Sequence, residues 1–424
     1  TVCSGNIKKA SGCKPFRLDV VPGPAARHKP RPLGPHKAAQ LKIHLVELCK
    51  LDVIEEVFGT NPEFVSPIVM VLKIDGTWRV CLDLRKLNLR TMKTSFLMPH
   101  ISELRECARG CTRFATFDLC KGYWQIEIEE SLRHYFTFVV PGGKFQLKRM
   151  PMGACGASEH MQAEMSRLFG DLEGVAVFQD DILLCAKDDA GLLELLRIVF
   201  KIFSDNGLKL KLPKVTFWAK EVVFVGHLFT GKGVTASPKR IQGLIDMAPP
   251  VTVGELNSLI CSGNFVRSYL IDYATIVDPF QKLVTRILGN ARGAARKRAG
   301  NTRVEWTSEL KAAYKSWKRM LATRIMYSHR HNGWCIFTCS DASPEAWGCV
   351  IGQCPPGQDE VPLHELKNVQ ILAMDTGTFK GSRKNWAIPD KEAFALAQPF
   401  ILHPELLHTG SENPIFVYTD HKNL

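Results

Sequence analysis

Two adjacent carboxylates interrupt an otherwise apolar segment near the middle of the chain. The stretch AVFQDDILLCA, residues 176–186, sets Asp180 beside Asp181 between two runs of β-branched and apolar residues. These runs predict two short strands with residues 179–181 at the bend. Burying one unpaired carboxylate is costly, and a second like charge beside it makes ionisation harder still. The segment is therefore either an acidic surface hairpin or a carboxylate pair neutralised by a bound cation.

A third carboxylate, Asp118, lies near the middle of another predicted strand, RFATFDLCKGYWQIEI. Three such acids converging on a pair of metal ions would favour the second reading. Two Mg²⁺ ions can neutralise the acids while they hold the attacking and leaving oxygens of an in-line phosphoryl displacement.

The composition points to a multidomain protein with a polyanionic partner. With 424 residues, of which 45% are hydrophobic, the chain can bury several cores, and its length predicts two to four domains. The net charge of +13 makes nucleic acid the first partner to test. Fourteen cysteines without a C-x-x-C spacing favour reduced, buried thiols. No apolar stretch is long enough to span a membrane, and the initial Thr suggests an internal piece of a longer protein.

Periodicity and turn residues predict the order of the elements. Residues 1–37 are rich in Pro, Gly, Lys and Arg and predict an extended, solvated arm. Helical spacing covers 38–57, 156–172 and 190–210, and strand-turn-strand patterns surround Asp75-Gly76 and 141–143. The basic segment 289–301 predicts a mobile linker or a loop near phosphates. A separate strand-rich block begins near residue 334.

Read together, the stretches around these acids resemble the polymerase motifs of gypsy-type (Metaviridae) LTR retrotransposon Pol polyproteins. The motifs that carry the resemblance occur in the family's order: WRVCLDLRKLN, FATFDLCKGYWQIEI, FTFVVPGGKFQLKRMPMGACGAS, FQDDILLCAKD, NGLKLKLPK and FVGHLF. The resemblance implies a reverse transcriptase of α+β class with a right-hand polymerase fold of fingers, palm and thumb. It also implies that Asp118, Asp180 and Asp181 hold two Mg²⁺ ions, with Mn²⁺ as an alternative. Asp118 and Asp180 would be direct ligands and Asp181 more peripheral.

The same resemblance assigns roles to the residues around the acids. Lys73 and Arg79 match the residues that grip the incoming triphosphate, and Arg offers a fork to phosphate oxygens. Tyr123 matches the aromatic residue that excludes a 2′-hydroxyl, which implies a preference for deoxynucleotides. Met152 and Gly153 match the stretch that packs against template and nucleotide, and Phe224, Gly226 and His227 match the primer grip. Lys214 matches the lysine that protonates the leaving pyrophosphate, with the neighbouring Lys209 and Lys211 as alternatives.

Three departures from the family pattern stand out. Phe178 replaces the commoner Tyr, Gln179 replaces an apolar residue, and MPMGACGAS replaces the usual Phe, Asn and Pro of its segment. None of them removes a charge that the chemistry needs. They bear on fidelity and template contacts.

The C-terminal block carries a second set of dispersed acids. Asp341 in SDAS, Glu392 in WAIPDKE and Asp420 in TDHK resemble the metal acids of the ribonuclease H domain of the same elements. Two metals held there would activate water against an RNA strand paired with DNA. The chain stops four residues after Asp420, so we expect a truncated ribonuclease H-like α/β domain. Asp375-Thr376-Gly377 resembles an aspartic protease loop, but it occurs once, and that chemistry needs two carboxylates.

Composition predicts an extended basic arm over 1–39, and the resemblance implies fingers and palm over 40–228, thumb and connection over 229–330, and the ribonuclease H-like domain over 331–424. The partners that the resemblance implies are RNA and DNA template-primer, RNA/DNA hybrid, deoxynucleoside triphosphates, and protease and integrase from the same polyprotein, with no membrane. The predicted location is a cytoplasmic virus-like particle, with the nucleus as an alternative. Two rivals remain: an RNA-dependent RNA polymerase, and a decayed or domesticated element that only binds nucleic acid.

Overall fold

The computed structural model describes residues 9–59, 61–72, 76, 78–358, 361–407 and 415–419. The chain divides into two compact units between Val225 and Gly226. The first unit covers the range predicted for the arm and all but the last three residues of the range predicted for fingers and palm. The second holds both predicted C-terminal domains, and the subdivision at residue 330 stays a prediction.

The N-terminal unit contains two sheets, the helices around them and one further strand that belongs to neither sheet. Its strands are β1 (Ala26–Arg27), β2 (Ile54–Glu56), β3 (Phe64–Leu72), β4 (Trp78–Leu82), β5 (Arg113–Asp118), β6 (Thr137–Val140), β7 (Gly143–Leu147), β8 (Val175–Phe178), β9 (Asp181–Ala186), β10 (Thr216–Ala219) and β11 (Glu221–Phe224). Its helices are α1 (Pro35–Lys50), α2 (Arg85–Asn88), α3 (Ile101–Cys107), α4 (Gly122–Gln125), α5 (Ala157–Phe169) and α6 (Asp189–Asp205). One sheet has the order β1-β3-β6-β7-β2, with β4 paired to β3.

The second sheet, β10-β5-β9-β8, is antiparallel throughout and carries the three acids. Helices α5 and α6 pack against it, and Phe117 of β5 contacts Phe203 of α6, which in turn contacts Phe169 of α5. The side chains of α6 that face the sheet repeat at helical spacing from Leu192 to Phe203. The predicted hairpins at 76, 142 and 180 are confirmed by the β3–β4, β6–β7 and β8–β9 pairings.

Two N-terminal expectations hold only in part. Residues 19–37 of the arm are mostly exposed as expected, but the preceding segment is docked: Phe16 is 1% exposed and bridges to Ile128, and Lys14 N donates to Glu164 Oε2 at 2.9 Å. The predicted helix over 38–57 ends at Lys50, because Asp52 adopts a left-handed φ of 55° and the chain continues as β2. Burial of apolar side chains in the arm outweighs its polar composition.

The C-terminal unit combines a helical layer with a small antiparallel sheet and a larger mixed sheet. Its strands are β12 (His227–Thr230), β13 (Gly233–Ala236), β14 (Tyr327–Ser328), β15 (Cys335–Ala342), β16 (Ala346–Cys354), β17 (Gln370–Thr378) and β18 (Ile415–Tyr418). Its helices are α7 (Pro238–Asp246), α8 (Val253–Asn264), α9 (Tyr273–Leu288), α10 (Gly293–Gly300), α11 (Ser308–Ala322), α12 (Ile388–Leu402) and α13 (Pro404–Leu407). The larger sheet has the order β17-β16-β15-β18, with β15 and β18 parallel.

The expected linker over 289–301 contains the helix α10, so this expectation is wrong. A bridge between Thr252 and Arg303 joins the segment to the start of α8, and a side chain at Gly254 would meet the carbonyl oxygen of Gly300 at 3.1 Å. Docking of backbone on backbone, rather than intrinsic propensity, accounts for this short helix.

The described residues contain no helix that is both long and apolar enough to cross a bilayer. The cysteines in the described ranges are free thiols. Cys185 and Cys349 are buried as expected, whereas Cys49 and Cys261 are exposed.

Candidate active site

The strand register brings the three N-terminal acids together. Asp118, the last residue of β5, lies opposite Asp181, the first residue of β9, and Asp181 also pairs with Phe178 of β8. Directly opposed residues in an antiparallel pair share one face, with Cα atoms about 4.5–5.5 Å apart. Asp180 lies at the hairpin tip, and its carbonyl accepts a hydrogen bond from Leu119 N at 3.1 Å.

Burial and mutual repulsion raise the pKa of two of these acids. The pKa of Asp181 rises to about 6, first through burial and then through the charges of Asp180 and Asp118. The pKa of Asp180 is also raised, mainly by burial, with Asp118 adding to the effect. Among the described residues, one cation contacts this group of acids: Lys214 Nζ lies 2.5 Å from Asp118 Oδ2. This hydrogen bond raises the pKa of Lys214. The site therefore carries excess negative charge.

A cavity of about 240 Å³ opens beside these groups. It is lined by Thr116, Phe117, Asp118, Asp181, Lys214 and residues 223–225. The available donors for a cation are carboxylate oxygens, which suit hard ions such as Mg²⁺. Excess charge, oxygen donors and adjacent space suit a divalent cation, while no three acidic, histidine or cysteine side chains of the described residues are already gathered closely enough to coordinate one.

Gly122, at the start of α4, allows the close approach of the hairpin tip. A Cβ there would lie 2.8 Å from Asp180 Cβ and 3.2 Å from Leu119 Cβ. The preceding residue, Lys121, has a left-handed φ of 49°. This turn brings the next residue, Tyr123, to the hairpin, where its hydroxyl donates to Gln179 Oε1 at 3.2 Å.

The hairpin tip has a strained backbone that sequence reasoning did not find. Gln179 has a φ of 55°, a conformation that costs a residue with a side chain about 1–2 kcal/mol. Gln162 of α5, which is 1% exposed, accepts a hydrogen bond from Gln179 N at 2.7 Å. The sequence feature that could have pointed to Gln162 is an amide side chain on the apolar stripe of a helix, beside Met161 and Met165.

The other predicted residues of this unit lie in three places. Met152 is 62% exposed, and Gly153, with a φ of 88°, accepts a hydrogen bond from Asn88 Nδ2 at 2.8 Å. Asn88, which sequence reasoning missed, thus holds this loop. Arg79 is an exposed residue of β4, and Lys73 lies outside the described residues. Phe224 is buried and lines the acidic cavity.

The predicted primer grip crosses the boundary between the units. Gly226 has a φ of 79°, and a side chain there would meet the Phe265 ring at 2.9 Å. His227 is buried, stacks on Phe265 and places Nδ1 2.8 Å from the Tyr269 hydroxyl. The His227 ring therefore supports the turn from inside the C-terminal unit.

The C-terminal acids form a looser arrangement. Asp341 is exposed near the end of β15, and buried Glu392 of α12 accepts a hydrogen bond from Ala342 N at 3.3 Å. Asp341 and Thr419 line the same cavity, of about 690 Å³. Asp420 lies outside the described residues.

The protease-like triplet Asp375-Thr376-Gly377 lies in a strand and not in a loop. Asp375 lies within β17, opposite Cys349 of β16, and its carboxylate is 2.6 Å from His403 Nε2. An acid within a paired strand and bound to a histidine does not form the exposed loop of an aspartic protease, so the geometry agrees with setting that reading aside.

The α+β fold that carries the acidic hairpin is a right-hand polymerase fold. Residues 71–229 match the family model of the reverse transcriptase (RNA-dependent DNA polymerase). A retrovirus-related Pol polyprotein from transposon opus of Drosophila melanogaster is 26% identical over 377 residues. The transposon Tf2-3 polyprotein of Schizosaccharomyces pombe is 24% identical over 395 residues.

The chain spans only part of these relatives. The two matches cover 86% and 93% of this chain but 36% and 28% of the polyproteins. Among solved structures, a foamy viral protease-reverse transcriptase in complex with RNA/DNA hybrid gives a TM-score of 0.79 at 20% identity, covering 98% of this chain and 52% of that one. The same type of protein in complex with dsDNA gives 0.76 at 19% identity, covering 96% and 81%. These likenesses establish the fold.

Proposed function

We propose that the chain is the RNA-directed DNA polymerase of a gypsy-type LTR retrotransposon, which extends a primer with deoxynucleotides on an RNA or DNA template. The observation that carries the proposal is the register that sets Asp118 opposite Asp181, with Asp180 at the adjoining tip. Three carboxylates with one lysine are poorly suited to structural packing and well suited to bind cations.

The acids and Lys214 of the palm would have separate roles in the reaction. Asp118, Asp180 and Asp181 would hold two Mg²⁺ ions, or Mn²⁺ ions, which supply charge neutralisation for the attacking 3′-hydroxyl and the departing pyrophosphate. The 3′-oxygen forms a bond to the α-phosphorus as the bond to pyrophosphate breaks. Lys214, which pairs with Asp118 and lines the acidic cavity, would give a proton to that leaving group.

The surrounding residues would bind and select the substrates. Arg79 and Lys73 would hold the triphosphate, Tyr123 would exclude a 2′-hydroxyl, and Met152 and Gly153 would contact the template and the nucleotide. Phe224, Gly226 and His227 would position the primer terminus. Exposed cations of α10 would add phosphate contacts, so binding of duplex should weaken as salt rises.

We further propose that the C-terminal sheet is a ribonuclease H-like domain that acts on RNA/DNA hybrid. Asp341, Glu392 and Asp420 would hold the metals there, and the Ala342 contact of Glu392 supports this grouping. By resemblance to Pol polyproteins, protease and integrase would be neighbours, and the location would be a cytoplasmic virus-like particle or the nucleus.

Primer extension on an RNA template with Mg²⁺ tests the polymerase. We expect the wild-type chain to extend and the Asp180→Asn, Asp181→Asn double variant to lose extension, whereas Asp205→Asn, at the exposed end of α6, should retain it. Equal extension by the wild type and the double variant would rule out the assigned site. Equal use of ribonucleotides would favour the RNA polymerase rival, and hybrid binding without extension would favour a decayed element.

A further inference from the structure

A chain of hydrogen bonds connects helix α5, the hairpin tip and Tyr123. Gln162 holds both sides of the tip: its Oε1 accepts from Gln179 N at 2.7 Å, and its Nε2 donates to Val177 O at 3.1 Å. The same Nε2 lies 3.2 Å from Ser166 Oγ, so both of its donor hydrogens have acceptors. The buried amide of Gln162 thus spans the residues on either side of Phe178.

The bonds of Gln162 explain how a residue with a long side chain keeps a left-handed backbone at the tip. The Gln179 φ of 55° persists only where surrounding contacts hold it. Its N–H and the nearby Val177 carbonyl are both bound by one buried side chain. Because Asp180 and Asp181 follow directly, the orientation of both carboxylates depends on this turn.

The side chain of Gln179 continues the chain of bonds to Tyr123. The Tyr123 hydroxyl donates to Gln179 Oε1 at 3.2 Å and lies 3.1 Å from Ser158 Oγ, which can donate in return. Tyr123 is 6% exposed. Its ring is therefore fixed by packing along its length and by hydrogen bonds at its tip.

We propose that Gln162 and Gln179 are positioning residues: Gln162 holds the acidic hairpin in its left-handed turn, and Gln179 fixes the Tyr123 ring that selects the sugar of the nucleotide. This inference rests on the proposed polymerase function and deepens it. Selection of deoxynucleotides then depends on an amide acceptor at the second position of the FQDD motif, where an apolar residue would leave the Tyr123 hydroxyl bound to Ser158 alone.

Single-nucleotide incorporation separates the two roles. We expect Gln179→Met and Tyr123→Phe each to lower the ratio of kcat/KM for a deoxynucleotide over the matching ribonucleotide by about threefold to tenfold, the equivalent of one hydrogen bond. The double variant should lower the ratio no further than Tyr123→Phe alone, because that change already removes the bond to Gln179 together with the bond to Ser158. Tyr135→Phe, outside the hairpin, is the matched control and should leave the ratio unchanged. An unchanged ratio in Gln179→Met, or additive losses in the double variant, would overturn the role of Gln179.

Gln162 is tested by hydrogen exchange as well as by kinetics. Gln162→Met should lower kcat more than it raises KM, and exchange in the peptide covering 175–183 should become faster. Gln162→Glu keeps an acceptor for Gln179 N and should retain more of the protection, and it serves if the methionine variant does not fold. Exchange identical to wild type in the folded variants would overturn the role of Gln162. A wild-type chain that extends no primer would count against the proposed function, and the exchange measurement would still decide whether Gln162 holds the tip.

Discussion

The two acidic sites of this chain use similar residues in different surroundings. In the N-terminal unit, neighbouring strands bring Asp118 and Asp181 face to face, and burial raises the pKa of Asp181 to about 6. In the C-terminal unit, Asp341 is exposed, while buried Glu392 accepts a backbone hydrogen bond. The first site thus carries electrostatic strain within its own strands. The second spreads its acids over a strand end and a helix.

This difference suggests what each site needs from a cation. Buried like charges are destabilising until a positive ion compensates them, so the first site should favour a cation even without nucleic acid. An exposed carboxylate is already solvated by water, so a bound cation stabilises it less. The comparison predicts that the two sites differ in the activity they support, in the effect of nearby packing changes and in their effect on the free energy of unfolding.

The largest expected effect is a separation of activities. Asp118→Asn should reduce primer extension about a thousandfold or more while it leaves cleavage of RNA/DNA hybrid intact, and Asp341→Asn should do the reverse. Both activities are measured on one labelled hybrid. Loss of both activities in either variant would show that the sites are not independent. Absence of hybrid cleavage in the wild type would count against the second site alone.

The next effect concerns the packing behind the first site. In Gly122→Ala, the new Cβ would come within 2.8 Å of Asp180 Cβ, so the hairpin tip must shift. Because a displacement near 1 Å can cost about a hundredfold in rate, we expect extension to fall by about that factor. Gly243→Ala is the matched control, since its added Cβ meets nothing within 4 Å. Full activity in Gly122→Ala would mean that the tip is not held against α4.

Sequence alone located the three acids and the hairpin around Asp180-Asp181, because a carboxylate within a run of apolar, strand-forming residues is unusual and the turn of a hairpin follows from the lengths of its strands. The predicted extent of the Asp118 strand is wrong, since β5 ends at Asp118 and the rest of the predicted strand contains α4. The right-hand fold is implied by the resemblance of the motifs and not by these strands alone.

The supporting residues could not be predicted because they act only through tertiary contacts. Gln162 is one amide on a helical stripe, and nothing local shows that it faces the Val177 carbonyl. Phe16 lies in a segment whose Lys, Arg and Pro content indicates an arm, yet one ring in a pocket is enough to dock it. In α10, the close approach of Gly300 to Gly254 decides the conformation, and a sequence pattern does not show which glycines will meet.

A smaller effect contrasts the two sites in stability. The raised pKa of Asp181 would be worth about 3 kcal/mol if fully buried, and solvent screening at this partly exposed group reduces it to about 1 kcal/mol. In chelator at pH 8, Asp181→Asn should therefore raise the free energy of unfolding by about 1 kcal/mol. Exposed Asp341→Asn should stay within about 0.5 kcal/mol of wild type. Chemical denaturation measures both.

The pH dependence gives the control for this stability effect. The folded pKa of Asp181 lies above its unfolded value, so the destabilising charge is present above pH 6 and disappears as the pH falls through 6 towards 3.8. The advantage of Asp181→Asn should accordingly shrink between pH 8 and pH 4.5. An advantage that is constant with pH would contradict an electrostatic origin.

The smallest expected effect lies beside the second site, at His403. Burial opposes protonation of this ring, but the hydrogen bond and charge of Asp375, with Glu405, raise its pKa overall. A raised histidine pKa contributes stability that is complete below the unfolded value, about 6.5, and is lost as the pH rises through the folded value. His403→Gln should therefore destabilise the C-terminal unit more at pH 5.5 than at pH 9, by about 1 kcal/mol. Thermal melting at the two pH values measures this. A larger loss at pH 9 would show that the fold holds His403 as the neutral ring. The contrast between a solvated second site and a charged first site would then not extend to the residues around His403.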